Sequence, residues 1–332
     1  MGQSFVFVLV PPLARDLGLS EVQTSSIFAI SAMAWALTSA FWGRASDRYG
    51  RRNIAILGLI GYAVSLIALI TPLFLVEKNI LNLTLLFPAL ILGRLINGLL
   101  GSATRPASFA YVADITTKEN RTVKFARMES SFLVGTVVGP LVGGFLFLIT
   151  KETPFYLFSF LAMIAAIGIY FNLEPSDRSY KKQKDKSKIK WYSQSIWPFL
   201  SVAAVLSLCQ ASLLQSIGFY ITDLFSYLDD LPILISMTFT LLAISTIASQ
   251  YFFTDAFPIN NFNLLLFGTS TLIFSYFTMA FLQSISIYYL SVILLGIGFG
   301  MTRPALASSL SIAQSPENQG TAAGYLGSVI PI

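Results

Sequence analysis

The chain has 332 residues, of which 55% are hydrophobic and 11% are charged, and its mean hydropathy is +0.71. Soluble domains carry about 25% charged residues, so this composition excludes an ordinary soluble enzyme. The sequence has no histidine and one cysteine, which excludes disulfide frameworks, histidine-based metal sites, catalytic triads and imidazole proton relays. Any proton chemistry must therefore use carboxylates.

Long apolar segments follow one another along the chain, and a membrane helix needs about 20 mostly apolar residues. Two segments are short, at 3–14 and at 320–332. The first lacks a preceding basic region and runs into Pro11-Pro12, so no cleavable signal peptide is expected. The pattern predicts an all-α polytopic membrane protein with a shortened first helix and truncated last helices. The full spans are predicted at 21–43, 54–76, 83–113, 123–149, 155–173, 196–224, 231–253, 262–282 and 285–313.

Two helix starts carry recognisable capping residues. Ser20 followed by Gln23 fits a capping box before the second span. Ser315-Pro316 fits a cap followed by a first-turn proline before the last segment.

The lysines and arginines indicate the orientation of the chain. If the first segment runs outward, the loops 44–53, 114–122 and 174–195 lie in the cytoplasm, and most of the 21 basic residues lie in or beside them. Such enrichment is typical of cytoplasmic loops. We therefore expect a multi-pass protein of the inner (plasma) membrane with these three loops in the cytoplasm.

The predicted domain organisation is an N-terminal bundle of helices 1–6 at 1–173, a basic linker at 174–195, and a C-terminal bundle at 196–332. The linker could bind anionic lipid headgroups, or it could be a solvated segment that enforces orientation. Seven identities at a constant offset of 198 support two related halves, which is one architecture of alternating-access transporters. They are Gly98/Gly296, Thr104/Thr302, Arg105/Arg303, Pro106/Pro304, Ala107/Ala305, Glu119/Glu317 and Asn120/Asn318.

The loop 43–52 has the sequence GRASDRYGRR, which resembles the G-x-L-A-D-R-x-G-R-R signature of the major facilitator superfamily. Its glycines allow a tight turn, and a carboxylate among arginines can exchange partners. The resemblance implies a conformational latch in which Asp47 faces the eleventh helix and Arg51 reaches a carboxylate after the fourth, here Asp114. The other latch residues are Gly43, Arg48, Gly50 and Arg52, while Ala45 stands where leucine is usual.

The segment 92–98, LGRLING, resembles the helix-four signature of the same family, which implies that Arg94 is linked to proton movement. An arginine inside a membrane span is costly and faces protein or a wet cavity. Arg94, Gly98, Gly101 and Arg105 would share one face of a continuous helix. Structural pairing of Arg94 with a buried acid is the alternative.

The segment 132–144 resembles the helix-five signature G-x-x-x-G-P-x-x-G-G, which marks exporters in this family. Small residues at this spacing let helices approach closely, and a proline bends the helix. The resemblance implies that Gly139-Pro140 seal the seam between the halves. The motif residues are Gly135, Gly139, Pro140, Gly143 and Gly144.

The resemblance covers the whole chain and is closest to twelve-helix drug:proton antiporters, including tetracycline exporters. It implies a proton-coupled exporter of small organic molecules working by alternating access. Tetracycline itself is not expected, because helices three and nine lack the acids of that branch. The acid that this branch carries in helix one would fall before Met1, so either the sequence is a fragment or this coupling site is missing. The alternatives are an exporter of an anionic metabolite or siderophore, a facilitative nutrient importer, or a degenerate fragment.

Four further residues are candidates for substrate or proton binding. Arg105 and Arg303 could bind a carboxylate or phosphate in the central cavity, or could hold helix ends. Glu129 could be a proton site, or a partner of Arg94 or Arg127, and Asp223 is expected to be a rim residue. We expect no cofactor and no metal, the proton gradient as energy source, small-molecule substrates, protons and membrane lipid as partners, no nucleic acid, and a monomer.

Overall fold

The computed structural model describes residues 2–174, 190–225, 231–256, 259–281 and 284–329. Within these ranges the chain is helical and contains no β-strand. Most of the predicted linker, 175–189, lies outside the described residues. The described α-helices are α1 (Gly2–Asp16), α2 (Glu21–Tyr49), α3 (Arg51–Glu77), α4 (Leu83–Leu99), α5 (Thr104–Ile115), α6 (Arg121–Phe147), α7 (Thr153–Asn172), α8 (Trp197–Leu224), α9 (Leu231–Tyr251), α10 (Asn261–Phe281), α11 (Ile285–Ile312) and α12 (Gln319–Val329).

Helix length and composition confirm the all-α membrane architecture. Within the described ranges, seven segments are long and apolar enough to cross a membrane. They are Val22–Tyr49, Arg51–Glu77, Leu83–Ile115, Arg121–Phe147, Thr153–Asn172, Asn261–Phe281 and Ile285–Ile312.

The predicted fourth span contains a break that the sequence analysis did not anticipate. A 3₁₀ turn, Gly101–Ala103, separates α4 from α5. Pro106 therefore falls in the first turn of α5. A backbone N–H in the first turn has no partner within the helix, so proline costs no hydrogen bond there. The corresponding Pro304 lies inside the uninterrupted helix α11.

The two predicted helix caps have different outcomes. Ser20 forms the full capping box, because its hydroxyl accepts from the Gln23 N–H and the Gln23 side chain accepts from the Ser20 N–H. Pro316 does occupy the first turn of a 3₁₀ segment before α12. Ser315 occupies the predicted N-cap position with an extended backbone, but its hydroxyl caps no backbone N–H and instead accepts from Asn318 Nδ2 at 2.9 Å.

Contacts divide the chain into two compact units. Unit 1 comprises 1–115, 135–196 and 314–332, and unit 2 comprises 116–134 and 197–313. In unit 1, Phe5 packs on Phe155 and Phe158, with ring centroids 5.0 and 4.7 Å away. The grouping by contact crosses the boundaries predicted from the sequence, and the division into two six-helix halves remains a prediction.

Small residues allow close helix packing in unit 2. A Cβ on Gly296 would lie 2.7 Å from the Leu242 carbonyl oxygen, and one on Gly298 would lie 2.6 Å from Leu272 Cγ. Since real Cβ atoms do not approach so closely, glycine is required where α11 packs against α9 and α10.

Candidate functional site

The end of α2 holds the start of α12 through one carboxylate. Asp47 Oδ1 accepts from the Gly320 N–H at 2.9 Å, and Oδ2 accepts from the Thr321 N–H at 2.8 Å and the Thr321 hydroxyl at 2.7 Å. The first N–H groups of a helix have no partner within the helix, and its N-terminus favours negative charge. Asp47 therefore caps α12 by charge-assisted hydrogen bonds.

Arg51, at the start of α3, connects this carboxylate to a second one. Its Nη1 forms an ion pair with Asp47 and donates to Ser46 Oγ at 2.9 Å, while its Nε donates to Asp114 Oδ2 at 3.1 Å. The Arg51 side chain is only 5% exposed, so these charges are poorly screened by water. We call Asp47, Arg51 and Asp114 the charged cluster.

Glycines make this arrangement possible, because α2 and α12 cross with their backbones almost in contact. A Cβ on Gly43 would collide with the Gly320 carbonyl oxygen. A Cβ on Gly324 would lie 2.8 Å from the Ser39 carbonyl oxygen. Gly43 thus serves the close approach rather than the turn, whereas Gly50 makes the turn with a φ of +92°.

The remaining arginines of the signature lie outside the charged cluster. Arg52 Nη1 donates to the Leu173 carbonyl at 3.1 Å, and its guanidinium lies over the Tyr170 ring at 5.1 Å. It therefore holds the C-terminal end of α7, where positive charge is favourable. Arg48 is exposed and lies over the Tyr49 ring at 5.3 Å.

Arg94 lies at the wall of a cavity of about 190 Å³ between α1, α2 and α4. Its side chain is buried, and its guanidinium carbon lies 5.8 Å from the Phe7 ring centroid and 5.3 Å from that of Phe28. Within the described part of the chain, no carboxylate forms an ion pair with Arg94. Trp35 and Asn97 also line the cavity.

A close crossing of α2 and α4 positions Arg94. A Cβ on Gly98 would lie 2.5 Å from the Ser31 carbonyl oxygen, so only glycine fits there. The Ser31 hydroxyl donates to the Arg94 carbonyl at 2.9 Å. The expectation of one continuous face from Arg94 to Arg105 was wrong, because the 3₁₀ turn interrupts the helix between them.

Glu129 and Arg303 come together in unit 2. Arg303 Nη1 lies 3.9 Å from Glu129 Oε2, and Arg303 Nη2 donates to Gln210 Oε1. Arg303, which the sequence analysis assigned to the substrate cavity, is thus a partner of Glu129 that the sequence did not predict. Glu129 is buried and Arg303 is 26% exposed.

Arg105 and Asp223 complete the predicted set. The Arg105 guanidinium lies over the Phe109 ring, one turn further along α5, at 5.6 Å. The Asp223 side chain lies outside what the structure describes, so its rim position stays a prediction.

The glycine motif of α6 packs against α1. The Ser4 hydroxyl donates to the Gly135 carbonyl at 3.2 Å, and a Cβ on Gly143 would lie 2.8 Å from Phe5 Cβ. Gly139 is buried between them and Pro140 lies inside the helix. A Cβ on Gly144 would meet no atom within 4 Å. The motif therefore provides a close helix contact in unit 1, and its predicted role as a seal is not tested by this contact.

A group that the sequence analysis missed holds the start of α6. The Thr122 hydroxyl lies 2.6 Å from Asn261 Oδ1 and 2.8 Å from Ser308 Oγ, and Asn261 Nδ2 donates to Ser308 Oγ at 3.2 Å. We call Thr122, Asn261 and Ser308 the neutral cluster. The repeat gives a signal for it, since Thr122 corresponds to Gly320 at the offset of 198.

The loop before α6, beside the neutral cluster, carries the ionised carboxylate of Glu119. Hydrogen bonds from the Glu119 backbone N–H and from the Thr117 side chain, in that order, lower the pKa of the fully exposed Glu119 carboxyl. Glu119 is therefore ionised at neutral pH, at the rim of a cavity of about 200 Å³ that Asn261 also lines.

A family model described as Major Facilitator Superfamily matches residues 1–331. The chain belongs to the Major Facilitator Superfamily. Its members are membrane transporters, so the chain is an integral membrane transporter and not an enzyme, and transporters of this family generally need no cofactor.

Similar proteins include transporters named for drug resistance. Multidrug resistance protein 1 of Bacillus subtilis (strain 168) is 26% identical over 330 residues, which cover 98% of this chain and 81% of that protein. Quinolone resistance protein NorA of Staphylococcus aureus (strain MSSA476) is 28% identical over 334 residues, with the same coverage.

Solved structures support the fold. A bacterial homologue of the iron transporter ferroportin in an outward-facing state has a TM-score of 0.76 at 17% identity, and covers 99% of this chain and 85% of that chain. The transporter FucP in an outward conformation has a TM-score of 0.75 at 13% identity, with the same coverage. At these identities the likeness concerns the fold alone.

Proposed function

We propose that the chain is a proton-coupled exporter of small organic molecules in the plasma membrane, working by alternating access. The observation that carries this proposal is the capping of α12 by Asp47 within the charged cluster. A buried ionic network can hold two helices in one state and release them when its charges find other partners. The engaged network would correspond to the state that is closed towards the cytoplasm.

Export is favoured over import by two observations. The similar proteins of Bacillus subtilis and Staphylococcus aureus are named for multidrug and quinolone resistance. In addition, the exporter-type glycine motif forms a close contact through Gly143, where a Cβ would lie 2.8 Å from Phe5 Cβ. The predicted cytoplasmic position of the loops 44–53, 114–122 and 174–195 belongs to the same proposal.

Proton coupling is assigned to Glu129 with Arg303. Glu129 is a buried carboxylate in a chain without histidine, and its partner Arg303 also contacts Gln210. Protonation of Glu129 would remove the ion pair, and an anionic group would then replace the carboxylate beside Arg303. In this assignment Glu129 and Arg303 take the coupling role that the family resemblance implied for Arg94.

Transport assays in an efflux-deficient bacterium test the proposal. Cells expressing the protein are loaded with lipophilic cations or with organic carboxylates, and retention is followed with and without a protonophore. We expect loss of one class that the protonophore abolishes, and expect Glu129→Gln to abolish it as well. Transport that is insensitive to the protonophore would contradict proton coupling. Net uptake instead of loss would favour a facilitative importer.

A further inference from the structure

Two residues that line the cavity, Arg94 and Trp35, carry hydrogen-bond donors without acceptors. Within the described chain, Arg94 Nε and Trp35 Nε1 are buried and have no hydrogen-bond partner. Both groups can only donate. The buried Tyr62 hydroxyl, which interacts electrostatically with Arg94, also lacks a partner. Since buried polar groups are nearly always hydrogen-bonded, these donors indicate a missing acceptor.

The charge of the missing group follows from Arg94. An isolated buried cation is costly unless it is paired, and no carboxylate of the described chain pairs with Arg94. A guanidinium and an indole N–H together favour an anion with oxygen acceptors, and a guanidinium binds a carboxylate through two parallel hydrogen bonds.

The size and lining of the cavity define the rest of the ligand. A cavity of about 150 Å³ with apolar walls can bind benzene, and the volume here is about 190 Å³. The rings of Phe7 and Phe28 line it beside Arg94. Asn97 also lines the cavity, and its Nδ2 donates to Gln3 Oε1 at 3.3 Å.

We propose that this cavity binds the carboxylate of a small aromatic acid, with Arg94 and Trp35 donating to the carboxylate and the phenylalanine rings contacting the aromatic part. The proposal names the substrate class of the exporter and so rests on the proposed function for its physiological meaning. The binding itself does not depend on transport.

Equilibrium binding to the purified protein in detergent tests the proposal without a membrane gradient. Radiolabelled benzoate is the probe, and unlabelled benzamide, benzylammonium and inorganic phosphate are the competitors. The variants are Arg94→Gln, which removes the charge, and Trp35→Phe, which keeps a ring and removes one donor. Arg15→Gln, an exposed arginine at the end of α1, is the matched control. Size-exclusion profiles establish that each variant is folded.

We expect saturable benzoate binding that none of the three competitors displaces at equal concentration. Arg94→Gln should weaken binding about tenfold or more and Trp35→Phe about threefold to fivefold, while Arg15→Gln leaves it unchanged. If Arg94→Gln fails to fold, the Trp35→Phe result decides alone.

Several results would overturn the assignment: no saturable benzoate binding, unchanged affinity in folded Trp35→Phe, or displacement by benzamide or phosphate. A protein that exports substrates but binds no benzoate would refute the cavity and keep the proposed function. Benzoate binding that depends on Arg94 in a protein without transport would support the cavity and refute the proposed function.

Discussion

Two helix starts in this molecule are held by different chemistry. In unit 1, the carboxylate of Asp47 caps α12 and is bound by Arg51. In unit 2, the Thr122 hydroxyl at the start of α6 contacts the neutral side chains of Asn261 and Ser308. Thr122 and Gly320 occupy equivalent positions in the internal repeat.

The two clusters differ in charge, because the first contains two carboxylates and an arginine and the second contains only neutral side chains. Hydrogen bonds to charged groups contribute about 1.5–3 kcal/mol, whereas neutral ones contribute about 1 kcal/mol. A carboxylate that binds both an arginine and a helix N-terminus can also exchange one of these partners for the other. The amide and the two hydroxyls of the neutral cluster discriminate less between partners. We therefore infer that the charged cluster dominates the conformational equilibrium.

The largest effect is expected for Asp47→Asn, which removes the charge and keeps the shape. The hydrogen bonds to Gly320 and Thr321 lose their charge assistance and the ion pair with Arg51 is lost, so transport should fall about tenfold or more. Initial transport rates at matched membrane levels measure this. Asp16→Asn, at the exposed end of α1, serves as control. Wild-type rates in Asp47→Asn would refute the latch.

A smaller but clear effect is expected for Gly43→Ala, which leaves every charge in place. The new Cβ would collide with the Gly320 carbonyl oxygen, and overpacking of this kind costs about 1–3 kcal/mol. We expect a lower thermal unfolding temperature in detergent and slower transport. Gly168→Ala is the matched control, because a Cβ there meets no atom within 4 Å. Equal unfolding temperatures for the two variants would contradict the close crossing.

Thr122→Val should have a weaker effect, since it removes the hydroxyl of the neutral cluster and keeps the side-chain shape. Loss of about 1 kcal/mol corresponds to a change of up to about fivefold in transport rate. Thr71→Val, whose hydroxyl bonds only within its own helix at Ile67, is the control. A loss as large as that of Asp47→Asn would show that the two clusters are equivalent.

The smallest effect is expected at the surface pair of Lys151 and Glu77, which are 46% and 44% exposed. The hydrogen bond to Glu77 raises the pKa of Lys151 above its ordinary 10.5, so the pair stabilises fully below that value and loses its contribution as the pH rises further. Exposed pairs contribute about 0–1 kcal/mol. Lys151→Gln should therefore leave the unfolding temperature at pH 7 within about a degree. A large drop would contradict this ranking.

The sequence predicted the fold well because apolar length determines membrane spans directly. It also predicted that Asp47, Arg51 and Asp114 belong to one site, and the structure brings them together. The partner of Glu129 was not predictable, since Arg303 lies far away along the chain and spacing carries no information about it.

Two other features could not be predicted from the sequence and are visible only in the three-dimensional structure. The 3₁₀ turn at Gly101–Ala103 lies inside Leu83–Ile115, which hydropathy treats as one membrane span, so hydropathy does not locate the turn. The unpaired donors of Arg94 and Trp35 depend on which side chains surround them in space.

The most direct test of the account measures whether Asp47 holds α12. Spin labels are placed at exposed Tyr49 and Glu317, after Cys209 is replaced by serine, and their distance distribution is measured by double electron–electron resonance. We predict a dominant short distance in the parent protein, a shift to longer distances in Asp47→Asn, and little change in Thr122→Val. An Asp47→Asn distribution identical to that of the parent would contradict the central claim.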